Sequence, residues 1–396
     1  MQKRLVVRLA VGVLVLCVVL LSGWAILPKL SPNQAFSFVP RVLSGRAYQQ
    51  IGPLISRNVP AFASSSTHAA SNANANTYDT AWRSQGAPAW LGYDLSRVSV
   101  AQRSKVLVVW YNGTGNYDHT LIKYPAYNMP QNYTVDANAA AGGGQPPTTN
   151  WVTLVTVQGN HYHSRQHVVD MTGYNWIRIN VTAIDGSTQN EDASLNMDVY
   201  DASTALQDDW IFFGDSITAG AMGHQTTGGV AAFSQLINTQ VPAHYPVEEA
   251  GGIGYLTSTD GVKYLNTWLS LFPGKYVGLS YGTNDALGCF SPTRFYSNYV
   301  TMVQEVLQAG KIPVVPHIPW GRNAKLQRCV PNLNAEIDAL YTAFPQIIHG
   351  PDLWTFFQSH QNLISSDNIH PTQEGFGAYR QQWANAMLTE VYGKSA

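Results

Sequence analysis

The sequence predicts an α/β domain, a parallel sheet with helices on both faces, preceded by an all-β sandwich and an apolar amino-terminal segment. Three observations carry this reading. From about residue 209, short apolar runs alternate with stretches of helical period, as repeated βα units do. From about 76 to 203, short apolar or alternating runs are separated by turn clusters such as Asn112-Gly113-Thr114-Gly115 and Gly142-Gly143-Gly144, with no long helical period between them. Ahead of both, Leu9 to Leu27 runs 19 residues without a charge.

Lys3, Arg4 and Arg8 precede that run, the layout of a signal peptide or transmembrane anchor over residues 1–30, which directs the rest of the chain outward. Gly23-Trp24-Ala25 offers a small-x-small cleavage site, so secretion and anchoring both stay open. In either case the protein works outside the cytoplasm and meets a membrane only through this segment. Residues 31–75, with Ser64-Ser65-Ser66 and Asn72-Ala73-Asn74-Ala75-Asn76, show no steady period and read as a linker. The sandwich, 76–203, has candidate strands at Val106–Tyr111, Trp151–Val157, Trp176–Val181 and Leu195–Tyr200. In the α/β domain, 209–394, Trp210–Phe213, Val247–Glu249, Lys275–Tyr281, Ile312–Val315 and Gln346–His349 read as strands. Val230–Gln240, Pro292–Ala309, Asn334–Phe344 and Thr372–Val391 read as helices.

Composition narrows the function. Charged residues make up 12%, about half the usual ~25%, and the formal net charge is −1. A nucleic-acid binder carries a basic field, so that class is excluded. With 45% hydrophobic residues the chain affords a sizeable core, which sets it apart from disordered chains.

The chemistry gathers at the predicted strand ends. Trp210–Phe213 runs into Gly214-Asp215-Ser216-Ile217, placing a serine at the carboxyl end of the first parallel strand, where such sheets keep their sites. A serine needs a base to become a nucleophile. Asp367-Asn368-Ile369-His370 puts a carboxylate three residues before a histidine, so the carboxylate can fix the imidazole tautomer while the ring takes the serine proton. Ala250-Gly251-Gly252-Ile253-Gly254 and Gly282-Thr283-Asn284-Asp285 each follow a strand. The backbone N–H groups of Ser216 and Gly254, with the Asn284 amide, are candidate donors to an oxyanion.

In this order, these four blocks resemble the SGNH, or GDSL, hydrolase family over residues 209–394. The resemblance implies a three-layer α/β/α fold, with Ser216, Asp367 and His370 as the catalytic triad and Ser216, Gly254 and Asn284 at the oxyanion hole. Glu249 stands where many members have Asn, which leaves Gly252 as an alternative to Gly254. The Gly-x-Ser-x-Gly elbow is absent around Ser216, which disfavours the α/β-hydrolase fold. Asn76–Ser84, Trp90–Leu95, Tyr133–Val135, Trp151 and Trp176–Ile179 resemble a galactose-binding-like (discoidin-type) jelly roll. That likeness implies glycan binding and allows a structural calcium, with no ligands assigned by position. Trp82, Trp90 and Tyr111 fit core packing better than sugar platforms. His161, His163 and His167 lack the carboxylates of a metal cluster.

The expectation is therefore an exported serine esterase that hydrolyses short acyl esters, acetyl above all, on a polysaccharide or other small ester, without a cofactor or metal. The alternatives are an acyltransferase on cell-wall glycan, a lipase, and a glycan-binding surface protein with a vestigial hydrolase domain. No long apolar insertion stands between the blocks, and Tyr255, Trp320 and Arg322 near the site suit a sugar leaving group. Cys289 and Cys329 follow neighbouring strands and are expected to pair in an oxidising compartment.

Overall fold

The computed structural model describes residues 54–112, 129–184, 192–203 and 208–393. The apolar run Leu9–Leu27 lies outside them. Among the described residues no helix is long and apolar enough to cross a membrane.

The amino-terminal strands form two antiparallel sheets. One has the order β1 (Ala61–Ala63), β3 (Ala89–Asp94), β8 (Trp176–Ile184), β5 (Pro130–Asn138), β6 (Val152–Val157). The other has the order β2 (Trp82–Arg83), β9 (Ser194–Asp201), β4 (Lys105–Tyr111), β7 (Ser164–Asp170). A short helix α1 (Val100–Arg103) lies between β3 and β4. Leu91, Tyr133, Val135, Ile177 and Ile179 of the first sheet meet Val106, Val108, Trp110, Leu195 and Met197 of the second in one buried cluster. The alternate residues of β4, Leu107, Val109 and Tyr111, are also buried. They pack with Tyr78 and Tyr200 against Ala232 and Val247 of the carboxyl-terminal half. Successive strand residues face opposite ways. A strand covered on both sides is therefore apolar throughout, which is why Val106–Tyr111 shows no alternation.

Polar contacts join the same two halves. Gln166 Nε2 donates to Asp209 Oδ1 at 3.1 Å, and the Ser164 hydroxyl donates to the Glu249 carboxylate. Arg57 Nη2 donates to the hydroxyls of Tyr78 (3.1 Å) and Tyr245 (3.0 Å), and Tyr78 donates to the buried Asp198 at 2.6 Å. Arg57 belongs to the stretch 31–75 read as a linker, and from Leu54 onward that stretch is packed. β1 pairs with β3, Leu54 bridges Tyr200, and Ile55 and Ala73 enter the sandwich core. Asn74 Nδ2 donates to Ser56 O (2.7 Å) and Val59 O (3.0 Å). Small polar residues mark linkers, but they also fill tight, hydrogen-bonded edges.

The carboxyl-terminal half is one all-parallel sheet in the order β11 (Val247–Gly252), β10 (Asp209–Gly214), β12 (Tyr276–Ser280), β13 (Ile312–Val315), β14 (Ile348–His349). Its helices are α2 (Ser216–Ala221), α3 (Phe233–Gln240), α4 (Ser258–Leu269), α5 (Thr283–Leu287), α6 (Pro292–Gln308), α7 (Ala324–Ala343), α8 (Leu353–Ser359) and α9 (Gln373–Glu390). Ile211, Phe213, Val277 and Leu279 face α4, α6 and α7, whereas Trp210, Phe212 and Val314 face α3, α8 and α9. Helices thus cover both faces, as expected. α7 begins ten residues before the predicted Asn334, because Pro331 lies inside it and reads in sequence as a breaker. Strand order reverses at β10, so the carboxyl end of β10 is the switch point where such sheets open a crevice.

Candidate active site

β10 ends at Gly214, level with Gly252 of β11 and Ser280 of β12. The turns carrying Ser216, Gly254 and Asn284 therefore leave three adjacent strand ends. A Cβ on Gly214 would stand 2.2 Å from Thr218 Oγ1, and one on Gly252 2.2 Å from Ala219 N. Only glycine fits at either position, and that closeness seats α2 directly on the strand ends. Gly252 is thereby explained by packing. Gly254 lies beyond the strand, and a Cβ built there would meet no heavy atom within 4 Å.

Asp215 caps α2, its Oδ1 accepting the Ile217 N–H at 2.9 Å, and Ser216 is the first helical residue. Burial pushes the Asp215 carboxyl up to about 6, against lowering hydrogen bonds from Ile217 N–H and Thr283. A carboxyl raised in the fold contributes stability that is complete below its unfolded value, about 4, and is lost as pH rises through the folded value. Asp215→Asn keeps the cap and removes the charge. Its stability relative to wild type is expected to grow by on the order of 2 kcal/mol between about pH 4 and pH 8. Thermal melts across that window check this, and a difference that stays flat with pH contradicts it.

His370 lies in the loop before α9. Its Nε2 is 2.7 Å from Ser216 Oγ, and its Nδ1 is 2.6 Å from Asp367 Oδ2. An ionised carboxylate only accepts, so Nδ1 carries the hydrogen and Nε2 is left bare towards the serine. Burial pushes the Asp367 carboxyl up, but it is outweighed by hydrogen bonds from Ile369 N–H (2.8 Å), the His370 ring, His370 N–H (2.9 Å) and the Ser365 hydroxyl (2.8 Å). The net result holds Asp367 well below the usual carboxylate range.

The loop that presents this pair is braced from outside. Arg322 donates to Asn368 Oδ1 (3.1 Å), Ile364 O (2.8 Å) and Ser365 O (2.6 Å). Arg322, expected to suit a sugar leaving group, is exposed and gives its Nε and Nη2 to the loop. Trp320 is 5% exposed and belongs to the buried cluster with Val314, Leu353 and Ile364. Of the three rim residues named from sequence, only Tyr255 stands free, at 75% exposed.

The turns carrying Gly254 and Asn284 are tied to the end of β10 and to each other. Ile253 N–H donates to Gly214 O at 2.9 Å, and Asn284 Nδ2 donates to Leu256 O at 2.9 Å. Gly282 has φ +134 and a Cβ there would meet Ile318 at 2.4 Å, so glycine is required where the chain turns towards Asn284. Asp285, buried, accepts the Ser258 N–H and hydroxyl, joining α5 to α4. The side chains of His370 and Asp367 are 37% and 47% exposed, so the site is open to solvent. A crevice of about 140 Å³ opens on the far side of α2, walled by Tyr111, Asn196 and His224, and none of the triad lines it.

Cys289 and Cys329 also meet: their sulfurs are 3.2 Å apart as free thiols, one on the loop after α5 and the other on α7. The three histidines do not converge. His167 bonds the Tyr133 hydroxyl at 2.8 Å inside the sandwich, and His161 is exposed. Among the described residues no three His, Cys, Asp or Glu side chains are grouped to hold a metal. Trp82 and Tyr111 are core residues, while Trp90 is half-buried. No sequence signal marks Arg380, which is wholly buried in α9. It donates to backbone carbonyls between Ala221 and Ala231, at the end of α2 and in the loop that follows it.

Similar solved structures include a lipase/acylhydrolase from Enterococcus faecalis, 21% identical, covering 48% of this chain and 99% of its own, with TM-score 0.38. An acetylxylan esterase from Geobacillus stearothermophilus is 16% identical, covering 46% and 94%, with TM-score 0.39. A psychrotrophic esterase from Pseudoalteromonas sp. is 16% identical, covering 47% and 99%, with TM-score 0.39. No curated protein matches the chain. Residues 212–378 match the GDSL-like lipase/acylhydrolase family, and that stretch of the chain is a domain of this family.

Proposed function

We propose that the protein is an exported serine esterase that removes short acyl groups, acetyl foremost, from a polysaccharide. The observation that carries this reading is the continuous relay from Ser216 Oγ to His370 Nε2 (2.7 Å) and from His370 Nδ1 to Asp367 (2.6 Å). In the proposed reaction Ser216 Oγ attacks the ester carbonyl while His370 takes its proton. The oxyanion is met by the Ser216 and Gly254 N–H groups and by the second hydrogen of Asn284 Nδ2, the first being given to Leu256 O. His370 then returns the proton to the departing sugar oxygen. Water repeats the sequence on the acyl-serine and releases the acid.

Two observations favour hydrolysis on a polymer. The triad is open to solvent, so a long chain can cross it and water can reach the acyl-serine. The sandwich is packed beside the hydrolase sheet, a fixed second surface for a polymer. The test is an acyl-chain series of p-nitrophenyl esters together with acetylated xylan, pectin and peptidoglycan. Acetyl preferred over octanoyl, with free acetate released from one of the polymers, is the expected result. An octanoyl preference replaces this reading with a lipase, and acetyl appearing on an acceptor glycan replaces it with a transferase. Export belongs to the same proposal. In an oxidising compartment the two sulfurs close, and mass spectrometry of unreduced protein should then find a linked Cys289–Cys329 peptide. Two freely alkylatable thiols there would count against it.

A further inference from the structure

The turn Ile253–Leu256 is closed by Leu256 N–H donating to Ile253 O at 3.4 Å, which makes Tyr255 its third residue. Tyr255 has φ +68. That position in such a turn calls for Gly or Asn, and a bulky side chain there is an outlier. Strain of this kind persists when packing repays it, yet the Tyr255 ring is 75% exposed. It is the only exposed aromatic among the large hydrophobic residues found exposed in the described chain, the others being Val100, Val152 and Val168. The turn itself is pinned at both ends, by Ile253 N–H to Gly214 O and by Asn284 Nδ2 to Leu256 O. The backbone that carries this ring is thus fixed between the strand end before Ser216 and the proposed oxyanion amide.

We infer that Tyr255 is a specificity-determining residue, a platform on which the sugar ring bearing the ester stacks. This rests on the proposed esterase reading. An aromatic face covers the C–H face of a pyranose while the phenol hydroxyl stays in water, as amphipathic rings do at interfaces. The backbone strain is then repaid by the bound sugar and not by the fold.

The inference predicts opposite signs for stability and for selective activity. Asn tolerates a left-handed φ, so Tyr255→Asn should raise Tm by roughly 1–3 °C. The same variant should leave kcat/KM for ethyl acetate within about twofold and lower kcat/KM for acetylated xylo-oligosaccharide about tenfold, chiefly through KM. Tyr255→Phe, which keeps the ring, should retain the wild-type ratio between the two substrates. An equal loss on both substrates overturns the inference, because it means the turn merely holds the oxyanion donors. Undiminished oligosaccharide activity in Tyr255→Asn overturns it as well, leaving the esterase reading intact. Wild-type protein that cleaves ethyl acetate but no sugar ester overturns the carbohydrate reading, and the platform with it.

Discussion

Ser216→Ala is expected to lower kcat for ester hydrolysis by about 10⁴–10⁶-fold, with Tm unchanged. The half-buried hydroxyl makes one bond, to His370, and no bond to the rest of the core, so the fold does not depend on it. What should survive is substrate binding and the oxyanion stabilisation proposed for Gly254 and Asn284. His370→Ala should cost about as much, and the double variant little more than either single one, because the groups act as a unit. Asp367→Asn should cost less, since the ring remains tethered but loses the carboxylate that sets its tautomer. Hydrolysis rates for p-nitrophenyl acetate and a thermal melt decide the matter. Turnover within about tenfold of wild type in Ser216→Ala would place the chemistry elsewhere.

The largest expected loss of stability comes from Arg380. It is fully buried and donates to Ala221 O (2.6 Å), Gly223 O (2.7 Å), Gln225 O (2.9 Å), Val230 O (3.0 Å), Ala231 O (3.0 Å) and Thr227 Oγ1 (3.1 Å). One planar fork thus reaches five carbonyls of this segment, of which Val230 O also accepts the Thr227 N–H (3.0 Å) and Gln225 O the Thr227 hydroxyl (3.3 Å). Arg380→Met fills the volume but removes a buried guanidinium, its hydrogen bonds to the loop and the positive charge near the buried Glu248, at a cost of about 3–5 kcal/mol. Arg380→Lys should recover only part of this, because an ammonium is a single point with three donors. Urea unfolding measures both. A loss below about 1 kcal/mol for Arg380→Met would mean that water serves the loop as well as the guanidinium does.

How far the site is legible in the sequence depends on range. The Ser216 block and the Asp367–His370 pair are local patterns, each attached to a strand or helix signal, and parallel-sheet topology brings their strand ends together. Arg380 carries no such mark: it occupies an ordinary helix position, and its role depends on a loop about 150 residues earlier in the chain. Asp209, Glu248 and Glu249 would pass for surface carboxylates, yet all are buried, two of them meeting Gln166 and Ser164 from the sandwich. Side-chain partners from a distant segment leave no period in the sequence. The bracing role of Arg322 is hidden for a related reason. A basic residue beside a pocket suggests a ligand contact, but the carbonyls of the His370 loop needed donors first.

The two-sided burial of β4 bears on how this chain can be divided. A cut near residue 208 would not release a hydrolase module intact. It would expose Ala232 and Val247 to water and strip Gln166 and Ser164 from Asp209 and Glu249. Burial holds both of those carboxyls above their usual range, so once wetted they would ionise at neutral pH and repel each other across β10 and β11. The sandwich is to that extent a covalently attached subunit of the catalytic body. Evolution can exchange such a piece only together with the surface it covers, so shuffling of this module is confined to partners that already carry an apolar patch and a matching pair of acids.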